Sequence, residues 1–363
     1  MAEGTCSFWH PSLSRGFLSE FYGHPPLAMG MLAVMYKIFG TSLWVTRLYS
    51  MLMTALTALL MLKLWRQMGY KWEMGWLPLL LWTLIPAVTL NSHNNMLECT
   101  MAVFCLMAVL CMVRRTGHSW SRARWSLMAG VFVYLAFMTK GFTGIYPLAF
   151  PLILWLAEHF FTRESNGKSD VSSLGVALLY TMLPIVSALF CFGATLLIWP
   201  DAGPFFDKYM HTQVLCAITT PLVSTRFYIV VKFFEQTVIV WVLFFLVIFV
   251  RRFIHVNKTA APGVMNADTV VDDLDKMTMD VPPHKRKWQL CLEYALLTCA
   301  GVLPIMISLK QRSFYILTVY PYFVLALSVV MNNIVERWLS VAGKRFHLVC
   351  GIVSLLMVVG AVF

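Results

Sequence analysis

The feature that most constrains this chain is a series of long apolar runs. Residues 174–199 pass without one charged side chain, and comparable runs lie at 45–64, 75–90, 96–113, 125–138, 144–161, 227–250, 290–308, 314–331 and 346–363. A segment of roughly 20 apolar residues is long enough to cross the hydrocarbon core of a bilayer. There the backbone must satisfy its own hydrogen bonds, which a helix does within one segment. With 59% hydrophobic and only 12% charged residues, the chain has too little charge for a soluble globular protein. The expected fold class is an all-α polytopic membrane protein with about ten transmembrane helices.

Leu27–Phe39 is also apolar but too short to span. It follows Pro25-Pro26, a pair suited to helix initiation, and reads as a surface helix within a first outer loop, 1–44. The expected layout is a single domain, 1–363, with helices over 45–250, a large outer loop at 200–227, a flexible cytoplasmic loop at 251–288 and further transmembrane helices over 289–363. Nineteen of the 28 Lys and Arg residues fall in alternate loops on one side, among them Lys63, Arg66, Lys71, Arg122 and Arg124. Positive residues resist translocation, so that side is read as cytoplasmic. The net charge of +11 is then mainly a topology signal with anionic membrane lipid as counter-charge. No basic stripe with interleaved aromatics supports a nucleic-acid partner. The cysteines show no metal-binding spacing, and Cys6 and Cys216 on the outer side are the two that could meet in an oxidising compartment.

The outer side is poor in charge, and its charged residues sit at helix ends in short turns. Lys140 interrupts two apolar runs in "AFMTKGFTGIYP"; Lys310 and Arg312 lie in "SLKQRSFY"; Glu98 opens the helix after "NSHNNMLE"; His24 precedes Pro25-Pro26. Taken singly, Lys140 reads as a snorkelling anchor, Glu98 as an acid favoured by a helix N-terminus, and His24 as a turn residue. Taken together, ionisable groups at one membrane depth point to a cavity lining. Cations gathered there suit an anion at the outer leaflet, with a lipid phosphate the natural choice, and a carboxylate beside them suits a general base or a cation partner.

The runs "FYGHPPLAMGMLAVMYKIFG", "TRLYSML", "NNMLECTMAVFCLMAV", "MTKGFTGIYPLAFPLI" and "LKQRSFYILTVYPYF", in this order, resemble the GT-C glycosyltransferases of the protein O-mannosyltransferase and lipid A aminoarabinose transferase type. The resemblance implies a GT-C bundle and a transferase that takes a sugar from a polyprenyl-phosphate-linked donor. The acceptor is a lipid, a glycan or a protein, and the active site lies on the outer face of a bacterial inner membrane. It places Lys140 in a Thr-Lys-Gly motif that binds the donor phosphate, Lys310 and Arg312 in the family's basic turn ahead of Tyr315, and His24 at a basic position before the surface helix. Glu98 matches an acidic position and is the catalytic candidate. "FFDKYMHTQV" and "STRF" resemble the large outer loop, making Arg226 a phosphate-binding candidate and Tyr209 and His211 further ones.

Two departures accompany the resemblance. The family's principal catalytic acid falls upstream of Met1, so the sequence is expected to be cut at its N-terminus, and Phe363 ends inside an apolar run as though cut there too. Gly23 stands where many members carry an acid that helps bind a metal, so no metal ligand is assigned and a divalent ion is left open as cofactor. A polyprenyl-lipid or polysaccharide transporter is the alternative function, but it calls for charges through the midplane and an exit path, whereas these helix cores are nearly free of charge.

Overall fold

The computed structural model describes residues 1–12 apart from 3 and 5, then 20–113, 119–162, 173–258, 287–342, 348, 351–353 and 355–356. Among the described residues the regular structure is helical. The surface helix α1 (Leu27–Phe39) has the bounds read from sequence, running from the Pro25-Pro26 pair to Gly40. It is followed by α2 (Leu43–Gln67), α3 (Trp76–Thr83), α4 (Pro86–Asn91), α5 (Leu97–Val113), α6 (Ser119–Lys140) and α7 (Phe150–Thr162). The remaining helices are α8 (Leu174–Ile198), α9 (Ala202–Tyr209), α10 (Cys216–Thr219), α11 (Tyr228–Lys258), α12 (Lys287–Val302) and α13 (Tyr320–Ala342).

Five segments among the described residues are long and apolar enough to span a membrane: Leu43–Gln67, Trp120–Gly144, Leu174–Ile198, Tyr228–Val250 and Lys287–Ile307. The expected ten spans are therefore not ten straight helices. Run 75–90 is broken because Pro86 cannot donate to the preceding turn and drives the residue before it out of helical geometry; Ile85 is extended, with ψ 115°. Run 144–161 opens with two 3-10 turns, Gly141–Gly144 and Tyr146–Ala149, before α7 begins. Run 314–331 likewise begins as a 3-10 turn, Ser313–Ile316, ahead of α13. The helix of run 227–250 continues to Lys258. Residues 259–286 of the expected cytoplasmic loop and most of run 346–363 lie outside the described residues.

The bundle is an integral membrane structure by its surface as well as its length. Leu197 is 87% and Phe190 76% exposed on α8, and Val242 and Phe245 stand out on α11. Apolar surface of this extent would be a liability in water and is the ordinary lipid face of a membrane helix. Inside, α5 lies between α2 and α6, α6 packs on α8, and α12 pairs with α13, the most fully buried helix. The α6–α8 crossing is set by a small residue. A Cβ built on Gly130 would lie 2.3 Å from the Pro184 carbonyl oxygen and 2.6 Å from Ser187 Cβ, while Ser187 Oγ donates to the Leu127 carbonyl at 2.8 Å. Close backbone approach through small residues is how membrane helices gain packing contact. Gly130→Ala should therefore push α6 from α8 and cost about 1–3 kcal/mol; a lowered thermal midpoint of the purified protein in detergent is the expected result.

Candidate active site

α5 and α6 are neighbours of opposite direction, so the first turn of one meets the last turn of the other. Glu98 occupies the first turn of α5 and Lys140 the last position of α6, each at the helix end whose dipole favours its charge. The Lys140 ammonium donates to Glu98 Oε1, and the two side chains are only 4% and 2% exposed. Lys140 Nζ also lies 4.0 Å from the ring centre of Tyr315 and 5.2 Å from that of Phe314, both on the 3-10 turn before α13. A desolvated cation over aromatic faces gains roughly 2 kcal/mol. Lys140 is thus no snorkelling anchor, since its head is enclosed by protein and does not reach the interface.

The turn that ends α6 is built on glycine for two separate reasons. Gly141 has φ +81°, in the left-handed region that other residues enter at a cost. A Cβ there would also fall 1.9 Å from Tyr209 Oη. Tyr209, buried at the end of α9, receives a hydrogen bond from the Phe142 backbone, and burial pushes its hydroxyl up to about 12. The large outer loop thereby rests directly on the Thr139-Lys140-Gly141 turn. Beneath α9, Phe205, Phe206 and Tyr209 pack with Trp9 and Met138 in a separate aromatic cluster.

His24 faces Lys140 and Lys310. Burial, then the charge of Lys140 and that of Lys310, hold its imidazole down to about 3, so it is neutral at physiological pH. Its Nδ1 is buried and has no hydrogen-bond partner among the described residues. Lys310 is half-buried, its ammonium donating to Gln213 Oε1 at 3.0 Å and its backbone N–H to Ser308 Oγ at 2.9 Å. Arg312 is exposed and stands just ahead of the turn that carries Phe314 and Tyr315.

Gln311, between the two cations, is a residue the sequence reading missed. It is 1% exposed, accepts from Ile229 N–H at 2.9 Å, and donates to the carbonyls of Arg226 at 3.0 Å and Ser308 at 2.7 Å. The Leu309 carbonyl accepts from Leu222 and Val223. Together they bind the basic turn to the end of the outer loop. The only sequence signal for Gln311 was a neutral polar residue between Lys310 and Arg312 in a very short turn.

Glu98, Lys140, Tyr315, His24 and Lys310 are thus brought together, Tyr209 supports them from the far side of Gly141, and Arg312 stands at the exposed edge. His211 and Arg226 are exposed side chains of the outer loop; His211 Nε2 lies 3.7 Å from Asp207 one turn earlier, and Arg226 contributes its carbonyl. Among the described residues no group of three His, Cys, Asp or Glu side chains gathers to hold a metal. Glu98 is committed to a cation and Gly23 offers no side-chain oxygen, so the residues present do not fit a divalent ion. An anion is the ligand this cluster suits.

Two outcomes follow from the geometry. Lys140→Gln leaves Glu98 as an uncompensated buried charge, which costs about 3–5 kcal/mol; Glu98→Gln with Lys140→Gln should recover much of it. Thermal unfolding of the two single variants and the double variant measures the coupling. For His24, the folded value lies below the unfolded one of 6.5, so the unfolded chain takes up the proton first. Stability should be full above pH 6.5 and decline as pH falls from there toward about 3. His24→Gln should flatten that decline in midpoints recorded on both sides of pH 6.5.

Residues 23–187 match a family model described as dolichyl-phosphate-mannose-protein mannosyltransferase. No curated protein matches the chain at a significant level. Among solved structures, ArnT from Cupriavidus metallidurans bound to undecaprenyl phosphate superposes with a TM-score of 0.57 at 19% identity, over 86% of this chain and 50% of that one. The apo form of the same protein gives 0.55 at 18%, with equal coverage. The chain thus spans about half the length of these structures. In sequence over residues 23–187 and in fold over most of its described length, the chain is similar to the GT-C membrane glycosyltransferases.

Proposed function

We propose that the protein takes part in transfer of a sugar from a polyprenyl-phosphate donor to an acceptor at the membrane face bearing this site, with the donor phosphate received by Lys140, Lys310, Arg312 and the N–H of neutral His24. The observation that carries the reading is the convergence of two buried or half-buried lysines and an unpartnered imidazole nitrogen on one face of a GT-C bundle. ArnT with undecaprenyl phosphate, a structure of the same fold, supports it. The assignment of this face as the outer face of a bacterial inner membrane rests on the Lys/Arg distribution.

Displacement at the anomeric carbon leaves negative charge on the departing phosphate, and preorganised cations stabilise that charge without having to reorient. Lys310 and Arg312 are placed to meet the phosphate first, being the less enclosed of the cations. Lys140 serves from beneath. Glu98 is read as its positioning partner, because a carboxylate buried against an ammonium is poorly placed to collect a proton from an acceptor hydroxyl. Tyr315 shields the lysine and keeps it from water. A phosphate beside His24 offsets the two lysine charges and restores part of the imidazole's proton affinity, giving donor binding a pH signature.

The test is binding of undecaprenyl phosphate against uncharged undecaprenol to the purified protein, followed by tryptophan fluorescence. The phosphate should bind more tightly, and Lys310→Gln should weaken it about tenfold or more, the worth of one charge-assisted hydrogen bond. Equal binding of the two lipids, or an unchanged affinity in Lys310→Gln, would remove the donor-phosphate reading.

A further inference from the structure

At the end of the bundle opposite this site, a cleft of about 550 Å³ lies over α5 between α2 and α6. Its floor is apolar, with Met107 and Leu110 of α5, and Phe132 of α6 continues one wall. At its mouth stand Lys63 and Arg66, one turn apart on α2, with Trp72 beyond them. The volume is within the range of small-molecule sites, roughly 300–1,000 Å³, and the cleft serves no step of the proposed transfer.

Charge decides what would occupy it. Among the described residues no carboxylate lines the cleft. Among the described residues Lys63 has no hydrogen bond or ion pair and Arg66 reaches only the Tyr70 carbonyl, at 3.5 Å. Lys71, the next cation along, is taken by Glu336 at 2.7 Å, and Glu73 is an exposed residue outside the lining. Two exposed cations at the end of a spanning helix, above an apolar trough, match a phosphate head joined to an acyl chain. Trp72, 51% exposed, is the amphipathic ring expected at headgroup depth. A zwitterionic headgroup would bring its own ammonium against Lys63 and Arg66, so the fit favours a headgroup of net negative charge.

We propose that this cleft binds one anionic phospholipid from the leaflet on the basic face, with its phosphate on Lys63 and Arg66 and an acyl chain along Met107, Leu110 and Phe132. The site is separate from the Glu98–Lys140 centre and does not depend on the transferase reading.

The experiment is native mass spectrometry of delipidated full chain in detergent, offered equimolar phosphatidylglycerol and phosphatidylcholine. One phosphatidylglycerol should be retained in preference to phosphatidylcholine, and Lys63→Gln with Arg66→Gln should lower its retention at least about tenfold. Arg124→Gln, which removes a nearby charge outside the cleft, should leave it unchanged. Met128→Trp, at an exposed lining position, narrows the trough without altering charge and should also weaken retention. Equal uptake of the two lipids by the unmodified chain, or unchanged retention in the Lys63/Arg66 variant, would overturn the proposal; unchanged retention in Met128→Trp would overturn the acyl-chain placement. The headgroup comparison on the unmodified chain stands even if a variant fails to fold.

Discussion

The structure turns on one buried ion pair. Two charges withdrawn from water cost several kcal/mol each, and their attraction offsets this only when geometry and neighbours are right. Glu98 and Lys140 meet that condition because three elements enclose them: the start of α5, the end of α6 and the aromatic turn of Phe314 and Tyr315. The two helices are consecutive, and the aromatic turn comes from a distant part of the chain. The pair therefore acts as a registration point: sliding α5 against α6 by a single turn would strand one charge in an apolar core.

Around that point the loops are held by backbone hydrogen bonding more than by charge. Gln311 joins Ile229, Arg226 and Ser308, and the Leu309 carbonyl takes two amides of the outer loop. A turn that displays two cations has to be fixed by something neutral, since carboxylates in that role would cancel the field the cations produce. Exposed charge pairs elsewhere, such as Lys208 with Glu20, are of the kind that contributes little to stability.

How much of this was legible beforehand differed from element to element. The surface helix Leu27–Phe39 could be read to its exact bounds because Pro25-Pro26 and Gly40 mark both ends. The spans without internal proline breaks, such as α2, were equally plain. Run 75–90 reads as one crossing because a hydropathy window does not register the break at Pro86. In the site, the charges at helix ends identified Glu98, Lys140, Lys310 and His24 as neighbours in depth. Their direct contacts were not legible, since an ion pair between α5 and α6 depends on how the helices rotate about their axes. Gln311 escapes notice because neutral amides carry no signal in a charge count, and His24 reads as a cation because its neutrality comes from burial and from neighbours remote in sequence.

The two cationic places along the bundle differ in how they meet solvent. Lys140 is 4% exposed and its charge is answered by protein groups, whereas Lys63 and Arg66 stand exposed at the mouth of the opposite cleft. Dissolved ions screen charge that faces water over about 10 Å at 0.1 M salt and reach a buried pair far less. Ionic strength therefore separates the two ends of the molecule: salt weakens the pull of the basic face on an anion and leaves the enclosed pair nearly untouched.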